Sequence, residues 1–510
     1  MRASGNKSIT KQTKLSGDIE ENTNLIQELF GSSIDVIFRE FTFGFANKFR
    51  AVIVYIEGLT DRASINSDIM KPLMYDSNLQ DPSLYTTDCY AKIKTAMLSV
   101  ANVEELTSVR KLADHCLCGY AALLIDGFNQ AFMINCQGWD KRAIETPPTE
   151  SVIRGPREGF TENFITNISL LRRKIKDPAL TVEAMKIGEK TGTTVALVYI
   201  KGLTNVELIK DLRKRLKKIK TDSILESGYI EQFIEDSPFS LFSTIANTEK
   251  PDIAAAKILE GRAAIIVDGT PFVLTAPMLF IESFQSAEDY YVRPAFATLL
   301  RIIRIISFFI SVLSPAIYVA LSSFHQELIP TALLFTVAAS REGVPFPSFI
   351  EAAIMVLTFE ILREAGVRLP RAIGQAVSIV GALVIGQAAV SAGLVGAPMI
   401  IVVAITAVAG FVVPNQNDSG AVLRIILLIL SAIIGLFGIM IGLLGTLIHL
   451  SSLKSFHVPY LSPLAPLRPQ GLKDSIIRAP LKSMFMRPAG MANRDPYRHK
   501  VNVTKSSGSK

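Results

Sequence analysis

Apolar positions fall along the chain in two regimes that change near residue 295. Before it they form short runs between polar stretches. After it they lengthen into runs that exceed any ordinary strand. In the first regime Val52-Ile53-Val54-Tyr55-Ile56 is apolar throughout, the pattern of a strand buried on both faces. That stretch recurs: VIVYIEGLTD (52–61) returns as ALVYIKGLTN (196–205), 144 positions later. GYAALLIDG (119–127) returns as GRAAIIVDG (261–269), 142 positions later. Order and offset are kept, so the pattern predicts two related subdomains. Each opens with a buried strand and continues through a helix. In the second copy Ile209, Leu212, Leu216 and Ile219 recur at helical spacing. Each closes with a second buried strand turning at Asp126-Gly127 or Asp268-Gly269. The expected fold is a pair of α/β lobes, 25–145 and 161–294, behind a disordered polar tail (1–24) and joined by a linker (146–160). A cleft between the lobes would suit a small ligand; the alternative is a scaffold for assembly.

The second regime reads as a membrane domain over 295–455, since about 20 apolar residues cross ~30 Å of hydrocarbon. Six segments stand out: 305–321, 328–339, 346–362, 373–395, 399–413 and 425–450, the last being the cleanest. Six crossings return both ends of the block to one side, whereas merging 328–362 gives five, so the expectation is a bundle of 5–6 transmembrane helices with one re-entrant segment possible. Arg301 and Arg304 would mark the entry interface, and Asp418 and Arg424 another interface.

Composition is then best taken by segment. The chain has a net charge of +7, yet residues 1–294 carry 35 basic and 38 acidic side chains. Residues 295–455 carry 8 and 6, and residues 456–510 carry 10 and 2. The positive charge belongs to the C-terminal tail, which argues for a basic, lipid-facing cytoplasmic tail and against nucleic-acid binding. No apolar run opens the chain, so the lobes are expected in the cytoplasm. Cys89, Cys116, Cys118 and Cys136 accord with a reducing compartment. His115-Cys116-Leu117-Cys118 lacks a second metal-binding pair, so these cysteines read as buried thiols and no metal or cofactor is expected. The chain holds no phosphate loop, nucleophile elbow or zinc-hydrolase helix, and no catalytic residue is assigned.

Two small-residue ridges lie in the apolar block. Gly374, Ser378, Ala382 and Gly386 repeat every four residues, with Gly381, Gln375 and Gln387 beside them. Gly435, Gly438, Gly442 and Gly445 are spaced 3, 4 and 3. Such ridges let helices approach closely or line a pore. Acids are costly in hydrocarbon and face water or a partner. Glu351 is read as interfacial or on an ion path; Glu360 and Glu364, flanking Arg363, as a cluster at the membrane edge, with an ion or partner contact the equal alternative for Glu360.

Several strings are more specific: TPPTESVIRGP (146–156), NTEKPDIAAAKILEGRAAIIVDGTPFVL (247–274), AEDYY (287–291), SFHQELIPTAL (323–333), REGVPFP (341–347), LREAGVRLPRAIGQ (362–375), VIGQAAV (384–390) and KDSIIRAP (473–480). On these the chain resembles the A-subunit family of bacterial spore germinant receptors, the GerA-type proteins. The resemblance implies a non-enzymatic protein of the inner spore membrane. It implies a transporter-like B subunit and a lipoprotein C subunit as partners, nutrient sensing, and a homo-oligomer that supplies the ion channel of germination. A non-conducting scaffold and a secondary transporter are the rival readings.

Overall fold

The computed structural model describes residues 13–44, 49–75, 103–138, 150, 152, 154–368, 384–488, 490–492 and 497–498. The first lobe runs α1 (Ile19–Phe30), β1 (Val36–Phe43), β2 (Phe49–Ile56), a helical stretch over 62–75, β3 (Val103–Leu106), α2 (Val109–Cys116), β4 (Tyr120–Ile125) and β5 (Ala131–Asn135), so it begins within the stretch expected as a disordered tail, where Leu15 and Ile19 are buried in its core. Its antiparallel sheet has the order β1-β2-β4-β5-β3. The second lobe runs α3 (Phe164–Lys174), β6 (Leu180–Ile187), β7 (Thr193–Ile200), α4 (Val206–Lys218), α5 (Ser227–Ile234), β8 (Ala246–Thr248), α6 (Pro251–Leu259), β9 (Ala263–Val267) and β10 (Val273–Ala276). Its order, β6-β7-β9-β10-β8, is the same one shifted by five strands.

The register repeats too: Val36 pairs with Ile56, and Leu180 with Ile200. The strands are apolar on both faces because helices cover both. Val52, Val54 and Ala122 meet α1 and α2, while Ile53, Leu123 and Phe132 meet the 62–75 stretch. In the second lobe α3 and α6 cover one face, α4 and α5 the other. The repeated Gly-Leu-Thr-Asp/Asn string ends in a helix cap: Asp61 accepts from the Ala63 and Ser64 amides, Asn205 from that of Glu207. The Asp-Gly turns are hairpins whose glycines take φ of 88° and 87°, a region unfavourable to side chains.

A buried ion pair joins the lobes. Arg172 of α3, fully buried, donates to Asp35 ahead of β1 at 2.7 Å, and to Ser33 at 2.8 Å. Across the same seam the Ile34 amide donates to the Val182 carbonyl.

The apolar block departs from the sequence reading. It comprises α7 (Pro294–Ser323), α8 (Thr331–Arg341), α9 (Ser348–Arg368), a helical stretch over 384–391, α10 (Ala397–Phe411), α11 (Asn417–Ile434) and α12 (Leu436–Ser452). Among the described residues two helical runs, 294–323 and 414–434, are long and apolar enough to cross a membrane, not the five or six expected. Helices α8, α10 and α12 have 11, 15 and 17 residues, about 16, 22 and 25 Å. Helix α9 has the length, but Glu351, Glu360, Arg363, Glu364 and Arg368 break its apolar character.

The cleanest expected span, 425–450, is two helices. Gly435 takes φ 67° and ψ −141°, and the chain reverses there. The start of α11 meets the second lobe, where Ser419 Oγ donates to the Leu241 carbonyl. The end of α12 returns to it, with His449 Nε2 3.0 Å from Ser240 Oγ. The tip at Gly435 abuts Phe324 and His325, beyond the far end of α7.

The tail is also corrected. It folds back on the second lobe, burying Tyr460, Met484 and Met491, and Ala492 bridges to Thr204. Its net charge had pointed to lipid, but its packing and its acid Asp474 tie it to protein.

Candidate functional site

A concentration of buried charge lies where α7 leaves the second lobe. Two short 3-10 turns, Phe280–Phe284 and Ala287–Tyr290, precede the helix, and Pro294 opens it. Arg301 and Arg304, three residues apart on one face, converge on the fully buried Asp289. Arg301 Nε reaches Oδ2 at 2.9 Å and Arg304 Nη1 reaches Oδ1 at 2.8 Å. Arg301 also donates to the Asp474 carboxylate at 3.1 Å and to the Asp474 and Ser475 carbonyls. Tyr290 donates its hydroxyl to Asp474 at 2.9 Å, and Arg478 donates to the Tyr290 carbonyl. Burial, outweighing Arg301, raises the Asp474 carboxyl; burial with the nearby Asp474 charge holds the Tyr290 hydroxyl well above its usual value. The arginines expected at a water interface are therefore inside a protein junction. A carboxylate shared by two guanidiniums in a dry site locks helix, lobe and tail together.

The neighbouring contacts extend the junction to the linker. Tyr291 donates to Asp252 at 2.6 Å, and the Arg154 amide donates to Glu288. Glu150 accepts from Thr248 Oγ1 at 2.6 Å and from the Glu249 amide at 3.1 Å. Four distinctive strings, around 150, 248, 289 and 474, thus meet in one place.

The acids of the apolar block are brought onto separate partners. Glu351, fully buried, accepts from Arg341 at 3.1 Å and from the Gly396 amide at 3.0 Å. Glu360 bonds Arg424 of α11 at 2.7 Å and Arg363 at 2.7 Å. Arg424 also donates to the Ser311 carbonyl of α7 at 2.7 Å, so it is an interior residue rather than an interfacial one. Glu364 pairs with Arg368 in the open. The sequence places Arg363 beside Glu360 but does not name Arg424 as its partner, because nothing local links positions 64 apart.

The glycine face resolves into contacts. A Cβ on Gly438 would collide with the Leu430 backbone and one on Gly442 with Leu427, both on α11. Gly445 has nothing within 4 Å. Gly386 is buried with Ile400 of α10 3.5 Å from its Cβ position, and Gln387 is exposed. Gly374, Gln375, Ser378, Gly381 and Ala382 lie outside the described residues, as does Cys89. Burial pushes the Cys116 and Cys136 thiols up to about 12, the state of inert interior cysteines.

The lobes meet through the Arg172–Asp35 seam, where a cleft would have suited a ligand and a scaffold needs none. A cavity of about 650 Å³ lies instead between the second lobe and the tail, lined by Arg262, Glu282, Asp474, Phe485 and Arg498 among others.

Residues 24–490 match the family described as Bacillus/Clostridium GerA spore germination protein. The chain is 48% identical to spore germination protein KA of Bacillus subtilis (strain 168), over 95% of this chain and 88% of that one. It is 45% identical to the uncharacterized membrane protein YfkQ of the same organism, over 96% of each. Among solved structures it is similar to the N-terminal domain of the A subunit of the Bacillus megaterium spore germinant receptor GerK3. That likeness has 39% identity and a TM-score of 0.41, covering 52% of this chain and 98% of that chain.

Proposed function

The chain belongs to the Bacillus/Clostridium GerA spore germination protein family, and from that premise we propose that it is the membrane-embedded A-type subunit of a nutrient-sensing spore germinant receptor. The observation that carries this reading is the Asp289 carboxylate held by Arg301 and Arg304. Through it, a displacement of the second lobe or the tail acts directly on the first long apolar helix. A ligand shifts such a device only through different affinities for its two states. The reading gives the nutrient to a transporter-like B subunit, with a lipoprotein C subunit completing the complex in the inner spore membrane. The subunit itself catalyses nothing.

The finer part of the proposal is that copies assemble and conduct ions. Helix α8 is apolar, yet none of its residues is buried by the rest of the described chain, so it offers a face to another subunit. The paired charges Glu351–Arg341 and Glu360–Arg424 give the helical block polar interior positions of the kind that border water-filled paths. The starts of α7 and α11 and the end of α12 all meet the second lobe, which favours lobes and tail together on the cytoplasmic side.

The test is ion flux from proteoliposomes holding this chain alone, the partners alone, or the whole complex, with and without a nutrient panel. Nutrient-dependent flux that needs this chain is the expected result. A complex that binds nutrient and assembles normally, yet conducts equally without this chain, would leave it a scaffold.

A further inference from the structure

Helix α5 buries Ser227, Ile230 and Ile234 against the lobe, yet its outer face carries apolar side chains as well, where an ordinary surface helix is polar. Four acids lie on this segment, and each is engaged by the protein. Glu226 accepts from the Gly228 amide at 2.5 Å and from Thr270 at 3.2 Å. Glu231 accepts from Ser243 at 2.8 Å, and Glu235 from the Thr244 amide at 2.9 Å. Asp236 takes Arg215 at 2.5 Å and the Phe456 amide at 2.6 Å. On the outer face Leu225, Tyr229 and Phe233 follow one another at intervals of four, 64%, 43% and 51% exposed. Phe239, on the adjoining loop, is completely exposed. Leaving two phenyl rings, a tyrosine and a leucine in water while every neighbouring acid is engaged by the protein is costly unless something apolar covers the outer face.

The place of the patch says what covers it. The next residues after Phe239 are those that meet the membrane-block helices: Ser240 at His449 at the end of α12, and Leu241 at Ser419 at the start of α11. Phe242 adds a ring contact to His449. The patch is thus continuous with the level at which the hairpin leaves the lobe. Aromatic and aliphatic side chains at that level partition into the boundary between headgroups and acyl chains.

We propose that Leu225, Tyr229, Phe233 and Phe239 form a wedge that enters the bilayer interface and seats the second lobe on the membrane its own helices cross. This rests on the membrane-embedded reading given above. The four acids are each held by partners in the protein, so no free carboxylate stands within the wedge, and the loop from Asp236 to Phe242 ties it to the hairpin. The lobe is then held at two points, by the Asp289 junction at the head of α7 and by the wedge beside α11 and α12.

The experiment uses the full chain in nanodiscs of phosphatidylcholine and phosphatidylglycerol, in a background with its single tryptophan removed by Trp139→Phe. One tryptophan is restored by Phe239→Trp, by Ile433→Trp on the exposed face of α11, or by Tyr75→Trp on the first lobe. Fluorescence is read with lipids brominated high on the acyl chain. The expected result is strong quenching for Phe239→Trp and Ile433→Trp and none for Tyr75→Trp. Quenching of Ile433→Trp with Phe239→Trp as bright as Tyr75→Trp overturns the wedge and assigns the patch to a second copy or a partner. If Ile433→Trp is itself unquenched, the membrane-embedded reading fails, and the wedge with it. Since Phe239 makes no buried contact, its replacement leaves the fold intact, which a matching melting temperature checks.

Discussion

Arg424 and Glu360 face each other at 2.7 Å across two helices, with the guanidinium 4% exposed and also held by the Ser311 carbonyl. The pair ties α7, α9 and α11 together in the middle of the apolar block. Removing one member leaves the other charge uncompensated, a cost of about 3–5 kcal/mol, whereas removing both exchanges an ion pair for apolar contact at little net cost. Arg424→Met is therefore expected to lower the melting temperature of the purified protein sharply, and the double change Arg424→Met/Glu360→Leu to recover much of that loss. A melting curve for Arg424→Met that overlays the wild type would contradict the buried pair.

The glycine face makes a graded prediction. Gly438 and Gly442 press on Leu430 and Leu427 of α11, while Gly445 on the same face touches nothing within 4 Å. Overpacking a tight contact costs about 1–3 kcal/mol. Gly442→Leu should open the hairpin, seen as faster proteolysis and a lower melting temperature, while Gly445→Leu should leave both unchanged. Equal effects at the two positions would mean the ridge is not the α11–α12 contact.

The repeat was legible because it is written locally. The β2 and β7 strings, the Asp61 and Asn205 caps and the two Asp-Gly turns each encode their own backbone, so copying the sequence copies the sheet order. The helical block was not legible in the same way. Residues 425–450 are apolar on both sides of Gly435, and composition alone cannot tell a continuous helix from one reversed at a single positive-φ glycine. Net charge misled in the tail for a related reason. Ten basic residues dominate its average, but Asp474, one of its two acids, reaches Arg301 and Tyr290. The distinctive strings marked the junction without revealing that they meet, since 150, 248, 289 and 474 come together only in three dimensions.

The seam between the lobes gives a third prediction. Arg172 is fully buried and Asp35 is 4% exposed, so Arg172→Met strands a carboxylate between two cores. The expected outcome is a loss of about 3–5 kcal/mol concentrated at the seam, read as earlier amide exchange at 33–36 and 180–182 while β4 and β9 remain protected. Uniform exchange across both lobes would show that they unfold as one unit and that the pair does not hold them independently.

Asp474 of the junction and Glu260, on the wall of the neighbouring cavity, should respond to pH with opposite signs. Burial raises the Asp474 carboxyl above its ordinary 3.8. The folded state then holds that proton more tightly than the unfolded chain does. Its contribution is greatest below 3.8 and is lost as pH climbs through the raised value. Glu260 goes the other way. Burial opposes its ionisation but is outweighed by Arg262, Lys257 and Arg498, which hold it below 4.5. The Glu260 contribution is complete above 4.5 and is lost as pH falls through the lowered value. Melting temperatures measured from neutral pH downward should therefore lose their steepest acid decline in Glu260→Gln. In Asp474→Asn the protein should forgo the acid-side gain, so its curve falls faster than wild type between neutral pH and 3.8. If both variants shifted the acid limb in the same direction, one of the two carboxyls would not sit in the environment described.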